Sequence, residues 1–169
     1  MDGNKSSPET LAVQFSQLAQ LLTQSDRTVR RFIKQAVELL PIEEQEFLVL
    51  SICHQYQQTP PAQRVLVEKL AVSAPQVSNL VEHLRQQGYI EGHRDPNDRR
   101  RQVWVLSPAG HQIVNQAYQS IARSLSKINS ADALEQIPSV QQILKAVGNI
   151  DPQANEIPTY QDFPNRKAA

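Results

Sequence analysis

Net charge, cysteine, glycine and long apolar runs are all scarce in this 169-residue chain, and each scarcity removes a class of protein. Lys and Arg total 17, Asp and Glu total 17, and the formal net charge is zero. A globally basic coat for nucleic acid is thereby excluded, although a local basic patch is not. A single cysteine forbids an internal disulfide and suits a reducing compartment. No apolar run approaches the roughly 20 residues needed to span a bilayer. The opening Met1–Lys5 carries no signal-peptide core. The expectation is a soluble, cytoplasmic protein with no membrane partner. Five glycines and 5% aromatics fit a mostly helical chain better than a sandwich. There is no Gly-rich phosphate loop, paired-carboxylate signature or nucleophile motif, so neither an enzyme nor a cofactor is expected. His54, His83, His93 and His111 show no ligand spacing, which leaves no metal site.

What is present is helical periodicity, interrupted once. Leu11, Phe15, Leu18 and Leu22, then Val29, Phe32 or Ile33, Ala36 or Val37, and Leu40, fall at three- and four-residue steps. They predict an amphipathic helix from about Pro8 to Leu40, with a break where Ser25-Asp26 can cap a new start. So long an apolar stripe at a terminus is best used against a second copy of the chain. Pro41 ends it. A buried helix follows over Ile42–Gln57, then a short one over Gln63–Leu70 with Leu66, Val67 and Leu70 inward. Ser73 caps the next helix, Pro75 sits harmlessly in its first turn, and Gly88 stops it. Tyr89–Arg94 and Gln102–Leu106 read as two strands of a hairpin. Ser107-Pro108 opens a further helix with Ile113, Val114, Ala117, Ile121, Leu125 and Ile128 on its apolar face. A last helical region is expected over 131–147, broken by Pro138.

The chemistry concentrates between Ser73 and Arg101. Val77, Leu80, Val81 and Leu84 mark the buried face of one helix, and the other side offers Gln76, Asn79 and His83 beside Ser78. Gln and Asn can pair bidentately with adenine in a major groove. Ser73 and the first-turn N–H groups suit a phosphate. Beyond the hairpin turn stand Arg99, Arg100 and Arg101, which repel one another and do nothing for the fold. Bare arginines on a hairpin tip suit a narrowed minor groove. Asp98 is close enough to hold Arg100 by a charge-assisted hydrogen bond and so orient the wing. The fold class expected is mainly α with a small β-hairpin wing: a winged helix-turn-helix plus a helical dimerisation region.

The span from about Ile42 to Leu125 resembles the MarR family of bacterial winged-helix regulators. The resemblance is carried by Phe47-Leu48-Val49-Leu50, Leu66-Val67-Glu68-Lys69-Leu70, Val77–Leu84 and Gly88-Tyr89-Ile90. Its most specific part is Asp95-Pro96-Asn97-Asp98-Arg99-Arg100 followed by Leu106-Ser107-Pro108-Ala109-Gly110. It implies a homodimer with intertwined terminal helices straddling a pseudo-palindrome in double-stranded DNA. It further implies a cleft for small phenolic or lipophilic effectors, Arg100 in the minor groove and Asp98 paired with it. Three positions depart from the family pattern. Ala71 stands where glycine is frequent, Asn79 where arginine is frequent, and Ala74 where a charge is frequent.

The organisation expected is dimerisation helices over 1–40, the DNA-binding domain over 41–107, further dimerisation helices over 108–150 and a mobile tail over 151–169. The function expected is a dimeric operator-binding regulator, a repressor, released by a small effector. Two rivals stand beside it: a redox sensor built on Cys53, and a winged helix turned to protein binding. Cys53 lies mid-helix between Ile52 and His54 and reads as a small buried residue. Trp104 fits either core or wing surface.

Overall fold

The apolar spacing of the chain becomes five helices and one hairpin among the described residues. The computed structural model describes residues 8–95 and 98–126. In chain order the elements are α1 (Pro8–Val37), α2 (Glu44–Gln55), α3 (Gln63–Leu70), α4 (Ala74–Gln86), β1 (Ile90–Arg94), β2 (Gln102–Leu106) and α5 (Pro108–Leu125). All belong to the first of the two units into which the chain divides, Met1–Leu125 and Ser126–Ala169. The expected helix over 131–147, the tail over 151–169, Ile128 and the Pro96-Asn97 turn lie outside the described residues. No described helix is long and apolar enough to cross a membrane.

Helix α2 is the centre. Phe47, Val49, Leu50, Ile52 and Cys53 are all buried, so the helix is apolar nearly all round and contacts α1, α3, α4, α5 and β2. Leu66 and Leu70 from α3, Val77, Val81 and Leu84 from α4, and Ile113, Val114 and Ala117 from α5 close the core around it. Val67 is only partly buried. The Tyr118 ring meets Phe47 edge-on at 5.7 Å, and its hydroxyl shares a 2.9 Å hydrogen bond with Ser51, tying α5 to α2.

Helix α1 departs from expectation. It runs unbroken for 30 residues and stops at Val37, three residues before the expected end. No glycine interrupts it, and proline occurs only at its first position. Asp26 does not cap a new start. Its carboxylate accepts from Arg30 Nε at 2.9 Å, one turn onward, which supports the helix through the expected break.

The turns follow the sequence signals closely. Ser73 Oγ accepts the Gln76 N–H at 3.4 Å as the cap of α4. At its other end Gly88 has φ +76°; its N–H reaches Arg85 O and the Tyr89 N–H reaches Leu84 O, a Schellman closure. Between α3 and α4, Ala71 sits at φ 53°, ψ 41°, the left-handed region that disfavours a Cβ. Glycine there should raise stability by about 1 kcal/mol. A denaturant titration checks this: the midpoint should rise with the slope unchanged.

The hairpin pairs Ile90 with Leu106 through Arg94 with Gln102, antiparallel. It is held to the segment before α3 by the Trp104 N–H on Pro61 O at 3.0 Å and by a bridge between Ala62 and Val103. Val103, Trp104 and Leu106 are buried, which places Trp104 in the core. Its indole N–H has no hydrogen-bond partner among the described residues.

Candidate nucleic-acid interface

Helix α4 presents its surface in three strips. The outward strip is Pro75, Asn79, Glu82 and Gln86, recurring at steps of four, three and four, all exposed. Ser78 lies on the flank toward α3, where its hydroxyl accepts from Gln63 Nε2 at 2.7 Å and donates to Ala74 O at 3.0 Å. Gln76 and His83 lie on the flank toward α2. Gln76 Nε2 donates to Gln45 Oε1 at 3.0 Å, and His83 Nδ1 donates to Glu46 Oε1.

The sequence pattern had grouped Gln76, Asn79 and His83 on one outward face. The helix separates them: Asn79 points outward, while Gln76 and His83 are already engaged with α2. Glu82 and Gln86 are the outward residues that the sequence reading missed, and their spacing from Asn79 was the available signal. Glu82 is kept from standing as a bare carboxylate. Hydrogen bonds from Arg85 at 2.8 and 2.9 Å and from Gln86 at 2.8 Å hold its carboxyl down at about 2.

The wing tip lies beyond β1. The Asp95 N–H bonds to Arg101 O at 3.0 Å, and the Arg101 N–H bonds to Asp98 O at 2.9 Å. Asp98 Oδ1 accepts the backbone N–H of Arg100 at 3.0 Å. Asp98 therefore fixes the backbone of the turn, where the sequence reading had it grip the Arg100 guanidinium. The one ion pair at the tip among the described residues joins Arg101 Nε to Asp95 at 3.8 Å. Arg99 and Arg100 are exposed, and their side chains bond to nothing among the described residues. Two guanidiniums with no ion-pair partner among the described residues concentrate positive charge at the wing tip of a chain of zero net charge.

Cys53 stands apart from this surface. It is buried, and desolvation pushes its thiol up to about 12. The thiolate that oxidant sensing requires is disfavoured at neutral pH.

A half-open cleft of about 970 Å³ lies between α1, the turn after it, the start of α2 and α4. Arg31, Lys34, Leu40, Ile42, Glu46 and His83 are among its lining residues. No group of His, Cys, Asp and Glu suited to a metal occurs among the described residues.

Residues 40–101 match the sequence model of the MarR family. Over that stretch the chain is similar to the MarR family. That matched stretch contains α2, α3, α4, β1 and all three wing arginines. No curated protein matches the chain. Solved structures share its fold well beyond the matched stretch. CouR from Rhodococcus jostii, bound to p-coumaroyl-CoA, is similar with a TM-score of 0.67 at 17% identity, covering 79% of this chain and 93% of that one. Apo MarR from E. coli gives 0.60 at 22%, covering 77% and 96%. An S. aureus MepR variant bound to an oligodeoxyribonucleotide gives 0.50 at 22%, covering 79% and 97%. The mainly helical winged helix-turn-helix expected from the sequence is therefore the fold of the described residues.

Proposed function

We propose that the protein is a homodimeric, sequence-specific regulator that binds double-stranded DNA at a pseudo-palindromic operator and acts as a repressor. The observation that carries this reading is that one unit exposes both Asn79 on α4 and, on the wing, Arg99 and Arg100, whose side chains bond to nothing among the described residues. Helix α4 enters the major groove, where Asn79 reads a base and Ser73 with the first-turn N–H groups holds a phosphate. Ser78 adds a polar contact once its bond to Gln63 opens. Arg100 enters the minor groove, with Arg99 and Arg101 on the flanking phosphates and Asp98 shaping the turn.

Dimerisation rests on α1. Phe15, Leu18, Leu22 and Val29 share one face, and apart from the half-buried Leu18 they are exposed. Among the described residues little packs against the first part of α1, and a helix standing alone at that length is marginal in water. A second copy supplies that support. The cleft beneath α1 suits a small phenolic or lipophilic effector, with Arg31 and Lys34 for its acidic group and Leu40 and Ile42 for its ring. The reading is supported by two proteins of similar fold, CouR bound to p-coumaroyl-CoA and a MepR variant bound to an oligodeoxyribonucleotide. We ascribe no enzymatic step to the chain.

The test is selection from a random duplex library by the full chain at near-physiological salt. A shared pseudo-palindrome with half-sites about 10 base pairs apart is expected. On that operator Arg100→Ala should weaken binding about 10–100-fold, the value of a charge-assisted contact, without changing the oligomeric state. Recovery of no enriched sequence would turn the reading to a protein-interaction module.

A further inference from the structure

We propose that Glu46 and His83 form a positioning pair that sets the recognition helix on α2, so that His83 governs DNA affinity without touching DNA. The proposal rests on the DNA-binding reading above and assigns His83 a different task from the base or phosphate contact its place in the sequence implies.

Glu46 is the third residue of α2 and its side chain is only 4% exposed. Both its oxygens are committed: Oε2 accepts the Glu43 N–H at 2.8 Å, and Oε1 accepts from His83 Nδ1. Both ring nitrogens of His83 are committed too. Its Nε2 accepts from the Gln87 amide at 3.4 Å, leaving Nδ1 as the donor toward Glu46. The imidazole is 58% exposed, yet its polar atoms point along the protein. A buried carboxylate with only two donors tolerates the loss of neither.

The pair does not act alone. Gln45, next to Glu46, accepts from Gln76 at the other end of α4. The two ties leave α2 at neighbouring residues and reach α4 seven residues apart, about 10 Å along its axis. Rotation of α4 about its axis breaks both. Base readout needs the helix held to within roughly 10–20°, and these ties supply that restraint.

The test uses the full chain on the selected operator, with His83→Ala, Glu46→Gln and the double variant. Each single change is expected to weaken binding about tenfold, and the double change no more than the worse single one, because both remove one coupled unit. The salt dependence should keep its slope, since no phosphate contact is lost. His83→Gln, whose amide retains a donor for Glu46, should recover most of the affinity. Additive losses, a slope shallower by about 0.9 in His83→Ala, or undiminished binding by Glu46→Gln would overturn the proposal. Amide hydrogen exchange across Asn79–Gln86 reads the same restraint without DNA. Both single variants should speed it alike, and unchanged exchange would overturn the pair even if the wild-type chain bound no DNA. Absence of wild-type DNA binding alone counts against the regulator reading and leaves the exchange result to decide the pair.

Discussion

With glutamate at both Leu22 and Val29, the protein is expected to sediment as a monomer and to lose operator affinity by a factor on the order of 10²–10⁴. The factor is the avidity of two linked half-site contacts. Leu22 is 38% exposed and Val29 55%, and with Phe15 and Leu18 they line one side of α1. The same spacing continues into Ile33, which packs against the core, and Ala36, which is buried. One face thus begins inside the domain and emerges bare. In a two-fold pairing each inserted carboxylate would enter an apolar seam and approach its own symmetry mate. Glutamate is a good helix former, so α1 itself should survive. Val13 supplies the control, being 56% exposed on the opposite side of the helix. Val13→Glu should leave both sedimentation and affinity unchanged. A dimeric double variant, or equal damage from Val13→Glu, would remove α1 from the interface.

Legibility followed the range of the physics. The stretch from Ser73 to Gly88 was readable because a cap, a proline, a buried-face spacing and a left-handed stop are all local, and each recurs in the geometry. The left-handed backbone at Ala71 had no local signal, and only the resemblance, in which glycine is frequent there, pointed to it. Asp26 misled because its side chain had two uses. A carboxylate can cap a new helix or brace an old one from the inside, and Arg30 four residues on decided for bracing. Gln76 and His83 misled differently. Their facing depends on Gln45 and Glu46, some thirty residues away in α2, and no window of local sequence contains both partners. The burial of Trp104 is of this kind too: it depends on Pro61 and Ala62 coming alongside β2. The exposure of Asn79 and Arg100 was therefore readable, and the facing of Gln76 and His83 was not, because another helix decides which way those side chains turn.

Replacing Gly110 with alanine should destabilise the fold by about 3 kcal/mol, at the upper end of overpacking costs. The thermal midpoint should fall by roughly 10 °C. Gly110 is buried in the first turn of α5, and a Cβ there would lie 2.0 Å from the Tyr89 carbonyl oxygen. That oxygen is not free to retreat. It accepts the Ser107 N–H at 3.0 Å, while Ser107 Oγ donates to Gly88 O at 2.6 Å and accepts the Gly110 N–H at 3.0 Å. The start of α5 is thereby bound backbone-to-backbone against the corner that ends α4 and begins β1. Alanine would gain about 1 kcal/mol of helix propensity over glycine, too little to offset separating these chains. Gly92 tests the reasoning, because distance alone does not distinguish it. A Cβ at Gly92 would lie 2.1 Å from Gln102 Nε2. That atom is the far end of an exposed side chain and can swing away, although the Trp104 ring at 3.1 Å would need a small adjustment. Gly92→Ala should cost about 1 kcal/mol or less. Equal losses at the two positions in a thermal melt would mean that proximity, rather than the stiffness of what is approached, governs tolerance here. A mild Gly110→Ala would mean that α5 can move off the corner, and the wing with it.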